Sequence, residues 1–169
     1  MPQPLVNGFK ILCLVDTNHA GESLTHRLRT GFIAMLNNFP IYWYLKKQST
    51  IETSTFGREF MSMNQAAEYL GGIHYKVRMF SIYVGEPVFI YCDNQLVIVN
   101  ALALYSTIKK KSQSIAFRFI CKVCTTDEWR TAYIHTSLNV SDLMKKPLPG
   151  ENRWRFVRML LHQIFVAVE

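Results

Sequence analysis

Twelve carboxylates are spread through the 169 residues, and most sit in plainly solvated settings, among them Glu86, Asp127, Glu128, Glu151 and Glu169. Four do not. Asp16 and Asp93 each close an apolar, strand-like run, Glu59 falls in the first turn or two of a long helical pattern, and Asp142 opens a helical segment late in the chain. Taken singly, an aspartate at a strand end forms turns, and an acidic residue at a helix start caps it or faces its dipole. Taken together, four carboxylates delivered to the ends of elements repel one another, and burying them is costly unless a cation compensates. Hard divalent cations take such oxygen donors. A pair of them, about 3.5 to 4 Å apart, activates water and stabilises the leaving oxygen in phosphodiester hydrolysis.

The elements that must position these residues show as changes in hydrophobic period. Near-continuous apolar runs predict strands over 9–16, 29–37 and 40–47, the last two joined as a hairpin at Asn37-Asn38-Phe39. From residue 55 to 80 the period becomes about 3.6, with Phe56, Phe60, Met63, Ala67, Leu70, Ile73, Val77 and Phe80 on one face of a long helix. A strand follows over 88–92, then helices over 95–104 and 108–124, a strand over 130–135, and helical segments over 140–145 and 153–168. The order is βββαβααβα: an α/β chain with a five-stranded mixed sheet, its first three strands antiparallel, flanked by helices. Crossovers of the strand–helix–strand type are right-handed. The long helix therefore returns the strand at 88–92 beside the first one, which makes Asp16 and Asp93 neighbours. Residues 1–8 read as an N-terminal extension, 9–150 as the domain and 151–169 as a helical tail packed on it.

Composition narrows the class. Hydrophobic residues make up 49% of the chain, enough for one core, while 8 Gly and 6 Pro exclude a collagen-like or low-complexity chain. No apolar stretch reaches the roughly 18 residues of a membrane span, and no secretory signal opens the sequence, so no membrane partner and an intracellular setting, cytoplasmic particle or nucleus, are expected. Cys13 and Cys92 lie inside apolar strands and read as core, while Cys121 and Cys124 share a helix face without a second pair to complete a zinc site. The net charge of +7 favours an acidic partner such as nucleic acid. Its basic groups cluster at Lys46-Lys47, Lys109-Lys110-Lys111, Lys145-Lys146 and Arg153-Arg155-Arg158, interleaved with Trp43, Tyr44 and Trp154.

Several segments, in this order and spacing, resemble one family. They are Leu14-Val-Asp16-Thr-Asn-His-Ala-Gly21, Arg29-Thr-Gly31, Pro40-Ile-Tyr-Trp43, Lys46-Lys-Gln48, Ser54-Thr-Phe-Gly-Arg-Glu59-Phe, Cys92-Asp93-Asn-Gln95, Lys109-Lys-Lys111, Asn139-Val-Ser-Asp142-Leu and Lys146-Pro-Leu-Pro149. Over about residues 9–160 the chain resembles the ribonuclease H domain of copia-type retrotransposon polyproteins. The resemblance implies the ribonuclease H fold and two magnesium ions, with manganese as a substitute, held by Asp16, Glu59, Asp93 and Asp142. It implies hydrolysis of the RNA strand of an RNA–DNA hybrid to a 3′-hydroxyl and a 5′-phosphate, and an upstream reverse transcriptase domain in a polyprotein. Asn18, Asn94, Gln95, Lys46, Lys47, Lys109, Lys110 and Lys111 are the candidate contacts to the hybrid, through 2′-hydroxyls and phosphates. The sequence departs from the family at Ser112, where a histidine is usual, at Met144-Lys145, where Thr-Lys is common, and over 118–127. These departures keep open an alternative, a decayed retroelement remnant that only binds nucleic acid. A DNA-cutting transposase or integrase fits less well, since its glutamate comes late and here Glu59 is second. His135 and His19 are weighed for a part in product release, with a capping or loop role the plainer reading for both.

Overall fold

The computed structural model describes residues 8–18, 29–37, 39–47, 55–102, 111–144 and 148–165. Three antiparallel strands come first: β1 (Ile11–Asn18), β2 (Arg29–Leu36) and β3 (Phe39–Lys47). The helix α1 (Thr55–Met79) leads to β4 (Val88–Cys92), which lies parallel to β1 in register Val15↔Cys92. Two helices, α2 (Gln95–Leu102) and α3 (Lys111–Thr125), precede β5 (Trp129–Tyr133), parallel to β4. Two short 3-10 turns, Thr136–Leu138 and Val140–Met144, lead into α4 (Gly150–Phe165). The strand order is β3-β2-β1-β4-β5.

The predicted order and the pairing of the fourth strand with the first hold. Several boundaries differ by a few residues, and three departures have a clear physical reason. β1 runs two residues past Asp16, because its antiparallel ladder to β2 continues to Asn18↔Arg29 while its parallel ladder to β4 stops at Val15. Phe9 is not part of the strand and makes only an isolated bridge to Val84. The segment carrying Asp142 is a 3-10 turn rather than an α-helix, too short for the four-residue hydrogen-bond repeat.

Period-two alternation divides the sheet between two cores. Cys13, Val15, Val88, Ile90 and Cys92 face α1, whose Phe60, Met63, Ala67 and Leu70 are fully buried against them together with α3's Ile120. Leu14 and Ile33 face the other way, under Val140 and α4's Phe156. The hairpin turns through Asn37, whose φ of 48° is the left-handed conformation asparagine tolerates, and its Oδ1 accepts from Lys10 N.

Candidate active site

The four carboxylates arrive from four elements. Asp16 is the first β1 residue beyond the end of the ladder to β4, and Asp93 immediately follows β4, so strand register alone sets them side by side. Glu59 sits in the second turn of α1 and is 8% exposed, while Asp16 and Asp142 are 3% and 4% exposed. Asp93 is half-buried. Carboxylate oxygens of Glu59 and Asp93 and the sulfur of Cys92 all lie within 4.8 Å of one another. Asp16 and Asp142 are outside that group of three. Asp16 shares its sheet face with Leu14, toward the 3-10 turn that carries Asp142.

Cys92, read from sequence as core, is fully buried but also belongs to this site. Its Sγ donates to Glu59 Oε2 at 3.8 Å. Burial pushes the thiol well above its ordinary value, and the charges of Glu59, Asp93 and Asp16 push the same way. The sulfur therefore stays a neutral thiol beside Glu59 and Asp93.

Polar side chains hold these backbones in place. The Ser62 hydroxyl, one turn after Glu59 on α1, accepts from Thr17 Oγ1 at 2.6 Å, lies 2.9 Å from Thr30 Oγ1 and reaches Arg58 O. One buried serine thus joins α1, β1 and β2 next to Asp16 and Glu59. Thr136 Oγ1 donates to Asp93 Oδ2 at 3.3 Å, and Arg155 of α4 donates to Ser137 O in the same turn. Sequence reasoning missed Ser62, Thr136 and Asn139 as site supports; for Asn139 the signal present was its place three residues before Asp142, a capping spacing.

The candidate contacts have definite places. Asn94 caps α2, its Oδ1 accepting from Leu96 N and Val97 N at 3.0 and 3.4 Å, while Gln95 opens α2 and is exposed. Lys46 and Lys47 are exposed at the end of β3, in register with Thr30 and Arg29, at the same end of the sheet as Asp16. Asn18 ends β1 and Lys111 opens α3, but their side chains are outside the described residues, as are Lys109, Lys110, Lys145, Lys146 and His19. His135 takes the capping role: its side chain accepts from Ser137 N at the start of the first 3-10 turn. Cys121 and Cys124 lie on α3, where Cys121 Sγ donates to Ala101 O at 3.6 Å.

This sheet order, with carboxylates at the carboxyl ends of neighbouring parallel strands, is the ribonuclease H-like fold. Solved structures with that fold include LC11-RNase H1 in complex with an RNA/DNA hybrid, at TM-score 0.57 and 16% identity over 77% of this chain and 88% of that one. RNase H1 from Halobacterium salinarum matches at TM-score 0.54 and 12% identity, over 78% of this chain and 90% of that one. In sequence the chain is similar to retrovirus-related Pol polyproteins of Arabidopsis thaliana, 27% identical over 135 residues to that from transposon RE2 and 26% over 137 to that from transposon RE1. Each match covers 79% of this chain, which spans only 9% of the polyprotein's length. No family model matches. Polyprotein similarity and fold agree with the copia-type ribonuclease H resemblance carried by the motifs.

Proposed function

We propose that this chain is a retrotransposon-type ribonuclease H that hydrolyses the RNA strand of RNA–DNA hybrids. The observation that carries the reading is the meeting of Glu59 and Asp93 carboxylates within 4.8 Å beside Cys92, with Asp16 at the end of the adjoining strand, one residue past the β1–β4 ladder. The donor set fits magnesium: carboxylate oxygens, three of the four side chains more than nine-tenths buried, with the neutral thiol a poor competitor for a hard cation. Asp16, Glu59, Asp93 and Asp142 would hold the metal, with Asp16 and Asp93 the central pair on the resemblance. Divalent ions bound there would supply activation of the attacking water and neutralisation of charge at the scissile phosphate.

The rest of the work falls to the chain's own groups. Thr136 orients the Asp93 carboxylate, and Ser62 fixes the turn of α1 that presents Glu59. Lys46 and Lys47 grip backbone phosphates at the same end of the sheet, without reading sequence. Asn94 spends its carbonyl oxygen on the α2 cap and leaves its amide N–H groups for a 2′-hydroxyl. The setting that accompanies this reading is intracellular, beside the polymerase segment of a polyprotein. Among the described residues no helix is long and apolar enough to cross a membrane.

The test is a cleavage assay on a labelled RNA–DNA hybrid with magnesium. Wild type cuts the RNA strand and leaves RNA alone and duplex DNA intact; Asp93→Asn stays folded by circular dichroism and loses the activity. Hybrid binding without turnover in magnesium or manganese sinks the enzyme reading and supports the binding-only remnant.

A further inference from the structure

We infer that Asn139 is a positioning residue that locks Asp16 and Asp142 into one arrangement; this deepens the hydrolase reading above and rests on it. Asn139 is completely buried, and every polar atom of its side chain is engaged. Nδ2 donates to Val15 O at 3.1 Å, while Oδ1 accepts from Ser141 Oγ at 2.7 Å and from Ser141 N at 3.3 Å. Its own carbonyl accepts from Asp142 N at 3.1 Å. The amide orientation is fixed by this pattern, since the flipped side chain would face the Val15 carbonyl with an oxygen and the Ser141 N–H with an amine.

The two attachment points are the residues immediately before the two carboxylates: Val15 precedes Asp16, and Ser141 precedes Asp142. Val15 is also where β1 loses its partner in β4. At that point a strand carbonyl is buried with the ladder finished, and leaving it unsatisfied would cost about 1 to 3 kcal/mol. Cys92, its register partner, meets the same need through Ile134 N, a plain backbone donor. At Val15 the need is met by a side chain whose other end holds the Asp142 turn, so satisfying the strand end and setting the separation of the two carboxylates become one event. Asn139 is too deeply buried to touch substrate, and it acts only through its neighbours. Magnesium demands near-ideal octahedral geometry, so a small drift between two of its ligands is poorly tolerated.

The test compares wild type, Asn139→Ala and Ser141→Ala, with Ile11→Ala at the far end of β1 from Asp16 as a destabilised control. Folding is followed by circular dichroism and melting, magnesium binding by calorimetry, and hybrid cleavage as a function of magnesium concentration. In Asn139→Ala the half-saturating magnesium concentration rises about tenfold or more and kcat falls, the usual size of effect for a residue that orients a ligand. KM for the hybrid stays within about twofold, because the substrate-binding groups are untouched. Ser141→Ala moves the magnesium dependence the same way by less, and Ile11→Ala lowers Tm without moving it. Wild-type magnesium dependence and kcat in a folded Asn139→Ala overturn the inference. If Asn139→Ala does not fold, Ser141→Ala decides, and wild-type magnesium dependence there overturns it too. A wild-type chain that neither takes up magnesium nor cuts the hybrid overturns the enzyme reading first, and the positioning role with it.

Discussion

Ser62 has one hydroxyl and three oxygen neighbours, from β1, β2 and its own helix, and it is wholly buried. Replacing it with alanine leaves the Thr17 and Thr30 hydroxyls short of a partner in the interior, where water cannot replace it. Ser62→Ala should therefore cost about 1 to 3 kcal/mol in denaturant unfolding. Because the lost contact also ties Glu59's turn to Asp16's strand, cleavage should weaken beyond what the unfolded fraction explains. Nothing in a one-dimensional pattern marks such a group, since a serine inside a helical run is as readily a solvent-facing residue. Asp16 and Asp93 stood out because each stands where an apolar run stops, and Glu59 and Asp142 because each falls near the start of a helical segment. Cys92 was legible as buried, but not as a neighbour of Glu59, because that contact joins residues 33 apart in sequence.

At the scale of elements, hydrophobic period predicted every strand and α-helix, because each presents a continuous apolar stripe to one of two cores. What it could not show was where one ladder ends while another continues. β1 carries two partners of different length, so Asp16 is inside the strand on the β2 side and beyond it on the β4 side. The 3-10 turn at Thr136–Leu138 was hidden and that at Val140–Met144 read as an ordinary helical segment, their hydrogen bonds coming from Asn139 and His135 rather than from an amphipathic repeat. The start of α2 rests on Asn94, whose side chain accepts from two of the helix's first N–H groups. Asn94→Ala should lower stability by about 1 kcal/mol. It should also raise KM for the hybrid more than it lowers kcat if the amide touches a 2′-hydroxyl, and steady-state kinetics separate the two.

For the molecule as a whole, the three parallel strands β1, β4 and β5 bring chemistry to their carboxyl ends, the usual place for ligands in such sheets. The antiparallel pair β2–β3 extends the same end with Arg29, Lys46 and Lys47. Stability of the whole should depend on pH through the core thiols. Burial alone raises the Cys13 thiol above its ordinary value of 9.0, so it stays protonated in the folded chain when the unfolded chain has begun to ionise. Its contribution is fully present below pH 9.0 and is lost as pH climbs beyond it, by at most about 1.4 kcal/mol per pH unit. Melting at pH 8 and pH 10 should show a smaller drop for Cys13→Ala than for wild type. The bond from Asn139 to Val15 bridges 124 positions of sequence. A ribosome releases Val15 well before Asn139, so a nascent chain can hold its sheet while Asp142 is still undelivered. The carboxylate set is then completed only once the second 3-10 turn has emerged, and a product truncated just before that turn would keep its strands but lack Asp142.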